Sequence, residues 1–362
     1  MEEVCNRNQN KMRIGIVTQP LTTNYGGILQ NYALQQILQI MGYEVMTLDY
    51  GKITWLEYIH NMASYIKGGM KWRAPENPIC RRNKESGFRH FISRNINVTK
   101  RSVRIDWRVC RELDAVIVGS DQVWRPCYNY DILSMFLLPI TDISINKIAY
   151  AASFGTSDWE FTAEQTTKCA QLIKSFCGVS VREHSGVDLC KRYLGVEARQ
   201  VLDPTLLICR DDYVKLCESV ETRSPFVFAY ILDEDEAKVS EIQRFAQEHS
   251  LPYIIKSAGP NASRHDTVEQ WLSYFRDARY VITDSFHGTV FSIIFNKDFM
   301  VYGNPQRGND RFYTLLTCAR LEDRMNSSLP AEWAPIRWAE VNESLVMKRT
   351  ESLIWLKNQL QG

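Results

Sequence analysis

Three consecutive segments near the amino terminus constrain this chain more than any other feature. "RIGIVT" (13–18) is a short apolar strand, and Leu34, Ile37, Leu38 and Met41 within "ILQNYALQQILQIM" (28–41) recur at the i, i+3, i+4, i+7 spacing of an amphipathic helix. "EVMTLDY" then gives a second strand. A strand, a long helix and another strand form a βαβ unit, which requires a parallel sheet.

The same order recurs downstream. "LDAVIVGSD" (113–121) and "KIAYAAS" (147–153) read as buried strands, "AEQTTKCAQLIKSF" (163–176) as a helix, and "GVSVRE" and "RQVLDP" as two more strands around the helix "HSGVDLCKRYLG". The pattern restarts at "FVFAYIL" (226–232), with the helices "EAKVSEIQRFAQEHS" and "TVEQWLSYFRDA" alternating with the strands "LPYIIKS" and "RYVITD". A chain of 362 residues exceeds the length at which single cores tend to split. The expected architecture is therefore α/β, two Rossmann-like domains facing a cleft, with units at 1–215 and 216–362 and the boundary in the charged stretch 210–224. The last helix is expected to pack back on the first domain.

The segment 52–112 is less regular. Residues 53–72 place Leu56, Ile59, Met62, Tyr65 and Ile66 near helical spacing, with Trp55 and Trp72 towards the two ends. Between 71 and 112 stand twelve Lys or Arg against four Asp or Glu, although the whole chain carries a formal charge of only +1. That bias suits either an acidic partner or anionic membrane surface, or a solvated helix pair and loop. It does not pair aromatics with base-edge readers, so no nucleic-acid partner is expected. No uncharged stretch reaches the roughly 18 apolar residues of a membrane span. "MEEVCNRNQNK" lacks the apolar core of a signal peptide, so a cytoplasmic location is expected. The ten cysteines form no C-x-x-C pair or metal-ligand spacing and read as reduced thiols.

Ligands of open parallel sheets bind beyond the carboxyl ends of the strands. After the first strand, "TTNYGGILQ" (22–30) brings Gly26 and Gly27 to a helix start, where exposed N–H groups bind anions; a tight turn also needs glycine. After the third, "GSDQVW" (119–124) supplies Ser120 and Asp121, the latter either a proton acceptor or a turn cap. "SVREHSG" (180–186) ends in Arg182, a receptor for carboxylate or phosphate unless it pairs with Glu183 or another acid. "DSFHGTVFSIIF" (284–295) places His287 in the first turns of a helix, but between Phe286 and Phe291 on its apolar arc, so core and chemistry are both open. The loop "GNPQRGNDRFYTLL" (303–316) adds Arg307 and Arg311. No G-x-G-x-x-G or Walker motif is present.

Taken in order, "IGIVT", "NYGGILQNYALQ", "VGSDQVW", "VSVREH", "VLDPTLL" and "VITDSFHGTVFSIIFNKDF" resemble the polysaccharide pyruvyl transferase family over about 13–316. The resemblance implies a fold similar to the GT-B glycosyltransferases, and transfer of pyruvate from phosphoenolpyruvate onto two hydroxyls of a sugar as a cyclic ketal. It implies His287 and Asp121 as catalytic groups. Arg182, Arg307, Arg311, Ser285, Gly288, Asn24, Tyr25, Gly26, Gly27, Gln30 and Ser120 are then the substrate-binding set. The first domain would be the acceptor side and the second the donor side. No metal or organic cofactor is called for, because the donor is itself a substrate. Many members carry a motif like Arg-Leu-His-Gly where this chain has Ser285-Phe286-His287-Gly288, so one expected positive charge is missing and Arg307 or Arg311 is the replacement on offer. Phosphoenolpyruvate and a sugar acceptor, either free or lipid-linked, are the expected partners, and the basic segment 71–112 with the Trp55–Trp72 stretch suits the lipid-linked form and peripheral membrane contact. The alternatives are a nucleotide-sugar glycosyltransferase of similar fold and a binding protein with a decayed site.

Overall fold

The structure, a computed structural model, describes residues 11–52, 55, 58, 59, 62, 63, 66, 78–129, 131–233, 235–257, 266–303, 308–330 and 333–361. The first half builds one parallel sheet from β1 (Arg13–Val17), β2 (Glu44–Thr47), β3 (Ala115–Val118), β4 (Asn146–Ala152), β5 (Gly178–Val181) and β6 (Arg199–Gln200), in the order β2-β1-β3-β4-β5-β6. Ile14 lies opposite both Val45 and Ala115, which fixes the register at the centre. β3 is buried at all four positions, as a strand covered by helices on both faces must be. The helices of this half are α1 (Tyr25–Ile40), α2 (Pro78–Asn95), α3 (Ala163–Leu172), α4 (His184–Leu189) and α5 (Arg210–Leu216).

The second sheet, in the order β11-β10-β9-β7-β8, consists of β7 (Val227–Tyr230), β8 (Tyr253–Lys256), β9 (Tyr280–Thr283), β10 (Asp298–Tyr302) and β11 (Met325–Asn326). All its pairings are parallel. The helices α6 (Glu236–Glu248), α7 (Val268–Asp277), α8 (Phe286–Ile294) and α9 (Asp310–Ala319) belong to this half. Strand order reverses between β1 and β3 in the first sheet and between β7 and β9 in the second. Crevices at such reversals are where open sheets hold ligands.

The two halves do more than face each other. Tyr25 of α1 stacks on Trp271 of α7 with centroids 5.0 Å apart, and Tyr213 of α5 meets Phe291 of α8 edge-on at 4.9 Å. One apolar cluster runs from Ile14 and Ile16 through these rings to Phe299 and Val301. Each aromatic pair adds about 0.5–1.5 kcal/mol beyond the area it buries. The last helix, α10 (Trp338–Gln361), ties both halves: Ser344 Oγ donates to Cys318 O, while Arg349 Nε donates to Leu206 O at 2.7 Å and Leu202 N to Ser352 Oγ at 3.0 Å.

Three arginines of the basic run at 71–112 are paired inside the fold. Glu85 accepts Arg81 Nε at 2.7 Å and Arg101 Nη1 at 2.6 Å, and Arg89 Nη2 lies 2.8 Å from Asp49. Phe88, Phe91 and Ile92 bury the inner face of α2. Trp72 and the lysine and arginine at 71 and 73 lie outside the described residues. Trp55, Tyr58, Ile59, Met62, Ala63 and Ile66 are helical, and no described helix is long and apolar enough to cross a membrane.

Candidate functional site

Ser285 begins α8 as its N-cap, with Gly288 N donating to its hydroxyl at 3.3 Å. This satisfies one orphan donor of the first turn and explains a hydroxyl at this position. His287 follows in that turn, 8% exposed, with Nε2 buried and without a hydrogen-bond partner. From the other half of the molecule, Asn24 caps α1 by accepting Gly27 N at 3.1 Å. That cap brings Gly26 against the histidine: a β-carbon on Gly26 would stand 1.9 Å from His287 Nδ1. Gly26 is thus required for the imidazole to occupy its place. Gly288 is required for a different reason, since a β-carbon there would meet Thr283 Oγ1 at 2.2 Å.

Arg182, at the end of β5, is the hub of the buried charges. Its Nη1 donates to Asp203 Oδ2 at 2.9 Å and its Nη2 to Asp121 Oδ1 at 3.1 Å, while Nε lies 3.8 Å from Glu183. Its guanidinium also covers the Phe286 ring at 4.5 Å, and Arg311 approaches the same ring at 5.7 Å. Asp121 reaches Arg182 from a left-handed backbone (φ 73°), a conformation Asp tolerates better than most residues. Asp203 is fixed on every side. Its Oδ1 accepts Thr205 Oγ1 at 2.7 Å and Thr205 N at 3.1 Å, and its Oδ2 accepts Ser120 Oγ at 3.2 Å besides Arg182. That same Oδ2 lies 3.8 Å from His287 Nε2.

The electrostatics follow from burial and these neighbours. Burial pushes the His287 imidazole below its usual 6.5, with Arg182 and Arg311 adding to the shift and Asp203 and Asp121 opposing it, so the ring is neutral at neutral pH. Burial alone would raise the Asp203 carboxyl; His287, Arg182 and Thr205 offset that and hold it below the usual carboxylate value. Burial pulls Arg311 down to about 10, reinforced by Arg182, and it remains cationic at pH 7. Burial pushes Glu183 up, and its Oε1 accepts Phe154 N at 2.7 Å and Gly155 N at 3.3 Å. A neutral imidazole facing a fixed carboxylate can accept a proton and be stabilised once it has done so.

A family model described as polysaccharide pyruvyl transferase matches residues 24–306, from the α1 cap to beyond β10. The chain belongs to the polysaccharide pyruvyl transferase family. It therefore belongs to a family of transferases. A search of curated proteins finds no match. Among solved structures, a UDP-glucosyltransferase from Polygonum tinctorium aligns at 8% identity and TM-score 0.49, over 97% of this chain and 99% of that one. The glycosyltransferase SnogD from Streptomyces nogalater aligns at 13% and 0.44 (94% and 95%), and a UDP-GlcNAc 2-epimerase from Methanocaldococcus jannaschii at 10% and 0.43 (93% and 99%). Likenesses at these scores add nothing to the two-sheet architecture, which the strand pairings establish directly.

For a pyruvyl transferase family member, the residues expected from sequence fall into three groups. His287, Asp121, Arg182, Gly26, Ser285, Gly288, Ser120 and Arg311 converge on one buried constellation at the strand-order reversals, with Asn24 at its exposed edge; Asn24 Nδ2 donates to Asp121 Oδ2 at 3.4 Å. Three others prove to have internal partners. Tyr25 OH donates to Asp266 O at 2.8 Å while its ring packs between the halves, and Gln30 is fully buried, donating to Thr18 Oγ1 at 3.0 Å and accepting Ser120 N at 3.2 Å. Gly27 supplies its N–H to the Asn24 cap. Arg307 lies outside the described residues. Arg182 also departs from its expected part as an anion receptor: both its Nη atoms already hold carboxylates, and an incoming anion would have to displace one. Asp203, Thr205 and Phe286 were missed. Asp203 lies beyond β6, so the strand-end rule applied to "VLDP" would have found it. Among the described residues no group of three or more His, Cys, Asp and Glu side chains could hold a metal ion.

Proposed function

We propose that the protein transfers pyruvate from phosphoenolpyruvate onto two hydroxyls of a sugar in a surface polysaccharide precursor, forming a cyclic ketal. The observation that carries this reading is a neutral His287 with an unpartnered Nε2, 3.8 Å from a fixed Asp203, both within the span that the family model matches. In the reaction the methylene carbon of the donor gains a proton, giving an oxocarbenium-like centre at its C2. One sugar hydroxyl adds there as neutral His287 takes its proton and delivers it to the methylene carbon, so that addition and carbon protonation are coupled. The second hydroxyl then displaces phosphate, and its proton leaves with the departing anion. Two protons leave the sugar, one is gained by carbon and one by phosphate, so the balance closes without a metal or organic cofactor.

The donor's carboxylate and phosphate need cations and helix starts. Arg311, cationic and stacked near Phe286, is the arginine we assign to the donor in place of the one absent at Ser285. The first turns of α1 and α8 meet where Gly26 abuts His287, and they are the helix starts we assign to the donor. Arg182 serves by holding Asp121 and Asp203.

The acceptor is presented at an anionic membrane surface. Support comes from Trp55, Ile59 and Ile66, each helical and 52%, 60% and 62% exposed, which precede the basic segment 71–112 in the sequence.

The test is incubation with phosphoenolpyruvate and candidate glycosides. Phosphate release together with a product heavier by one pyruvyl group supports the reading. Thermal stabilisation by a nucleoside diphosphate and not by phosphoenolpyruvate would instead favour a glycosyltransferase, and donor binding with no turnover on any acceptor a decayed binding protein.

A further inference from the structure

Asp203 lies within "VLDPTLL" but carries no role in the sequence reading, yet it is the most tightly held acid at the site. Four donors fix it: Thr205 Oγ1 at 2.7 Å, Thr205 N at 3.1 Å, Ser120 Oγ at 3.2 Å and Arg182 Nη1 at 2.9 Å. These come from its own turn, from the end of β3 and from the end of β5, so the carboxylate cannot turn away without breaking bonds to three separate segments. Its Oδ2 nevertheless faces His287 Nε2 at 3.8 Å, the one ring atom that is buried and lacks a partner. A buried nitrogen left unpartnered beside a fixed carboxylate costs stability unless the arrangement serves another end. Hydrogen bonds between catalytic groups are often long in unliganded sites and tighten when substrate arrives.

We infer that Asp203 is the positioning residue of His287, holding the imidazole across the junction between the two halves and stabilising the imidazolium that forms when the ring takes a proton. The inference rests on the reading of His287 as the proton carrier. The charged groups facing the ring are Asp203 and Asp121 on one side of the balance and Arg182 and Arg311 on the other. Asp203 is the acid of this set that lies within 4 Å of a ring nitrogen, and Arg182, which neutralises part of its charge, also keeps its Oδ2 in line. A structural acid alone would need no such alignment towards His287. Thr205 and Ser120 then act one step further out, by holding the carboxylate.

The experiment uses full-length protein labelled with 15N-histidine, with the His287 resonances identified by their loss in His287→Gln. Titration should give a lower His287 pKa in Asp203→Asn than in the wild type, because the variant removes the negative charge and keeps the shape. In the same variant kcat should fall at least ~10-fold with the donor KM within about twofold. An unchanged His287 pKa in folded Asp203→Asn overturns the inference. Where Asp203→Asn does not fold, Thr205→Val loosens the carboxylate and leaves its charge; a lowered His287 pKa there supports the inference, and a wild-type value overturns it. The titration needs no turnover, so a wild type inactive with phosphoenolpyruvate would sink the proposed reaction while the role of Asp203 is still decided by the spectra.

Discussion

Gly26 and His287 meet across the junction of the two halves so closely that a β-carbon on the glycine would lie 1.9 Å from the histidine's Nδ1. The amino end of α1 therefore forms one wall of the imidazole's seat, and the other wall is Asp203. Gly26→Ala should push the ring out of line or the helix off the second half. Overpacking of this kind costs roughly 1–3 kcal/mol. The expected outcome is a lower melting temperature together with loss of most pyruvyl transfer, read by differential scanning calorimetry and steady-state kinetics. A variant with wild-type activity would show that the close approach is irrelevant to chemistry.

Replacing the ring itself should separate chemistry from folding. His287→Gln is expected to lower kcat by about 10²–10⁴-fold, the usual contribution of a positioned acid or base, with little change in melting temperature because no hydrogen bond to Nε2 is lost.

The pH dependence follows from the direction of the His287 shift. Its folded-state pKa lies below 6.5, so the folded protein holds fewer protons there than the unfolded chain. Stability from this group is complete above pH 6.5 and declines as pH falls towards the folded value. Activity that needs the neutral ring should fall over the same acidic window, with the limb in kcat/KM lying below 6.5. A limb above 7 would contradict the burial of the ring.

The two arginines should behave differently. Arg182→Met leaves Asp121, Asp203 and Glu183 without their shared cation, and breaking a buried pair in this way costs about 3–5 kcal/mol, so loss of stability is the expected primary effect. Arg311→Met removes one charge-assisted contact to the donor, worth about 1.5–3 kcal/mol or roughly tenfold to a hundredfold in affinity. Its signature is a raised KM for phosphoenolpyruvate. Melting curves and donor titrations on both variants check the contrast.

Membrane docking is checked with Ile59→Glu/Ile66→Glu. Vesicles containing anionic lipid should retain the wild type in sedimentation at low salt and lose the double variant, while turnover of a soluble glycoside stays the same. Equal retention of both proteins would show that the exposed stripe has another use.

The alternation of strands and helices was legible because each βαβ unit carries its own periodicity, and both sheets follow it. Boundaries were less so. "RQVLDP" reads as a strand, yet only Arg199 and Gln200 pair, because the chain leaves the sheet to deliver Asp203 into the site. His287 and Arg182 stood out as polar groups at strand ends, but the partners that decide their roles are 84 and 21 residues away from them respectively, counted to Asp203. Such distances are invisible to local pattern. The packing of Tyr25 against Trp271 was equally hidden, since each residue reads locally as the apolar face of its own helix. The basic run at 71–112 misled in part for the opposite reason: Asp49, outside the run, and Glu85, within it, take up several of its arginines.

The most direct test of the account is single-turnover transfer with phosphoenolpyruvate and a panel of glycosides, following phosphate and product mass together in the wild type and in His287→Gln. The account predicts one phosphate released for each pyruvyl ketal formed by the wild type and neither product at a comparable rate from the variant. Ketal formation by His287→Gln at the wild-type rate would contradict it.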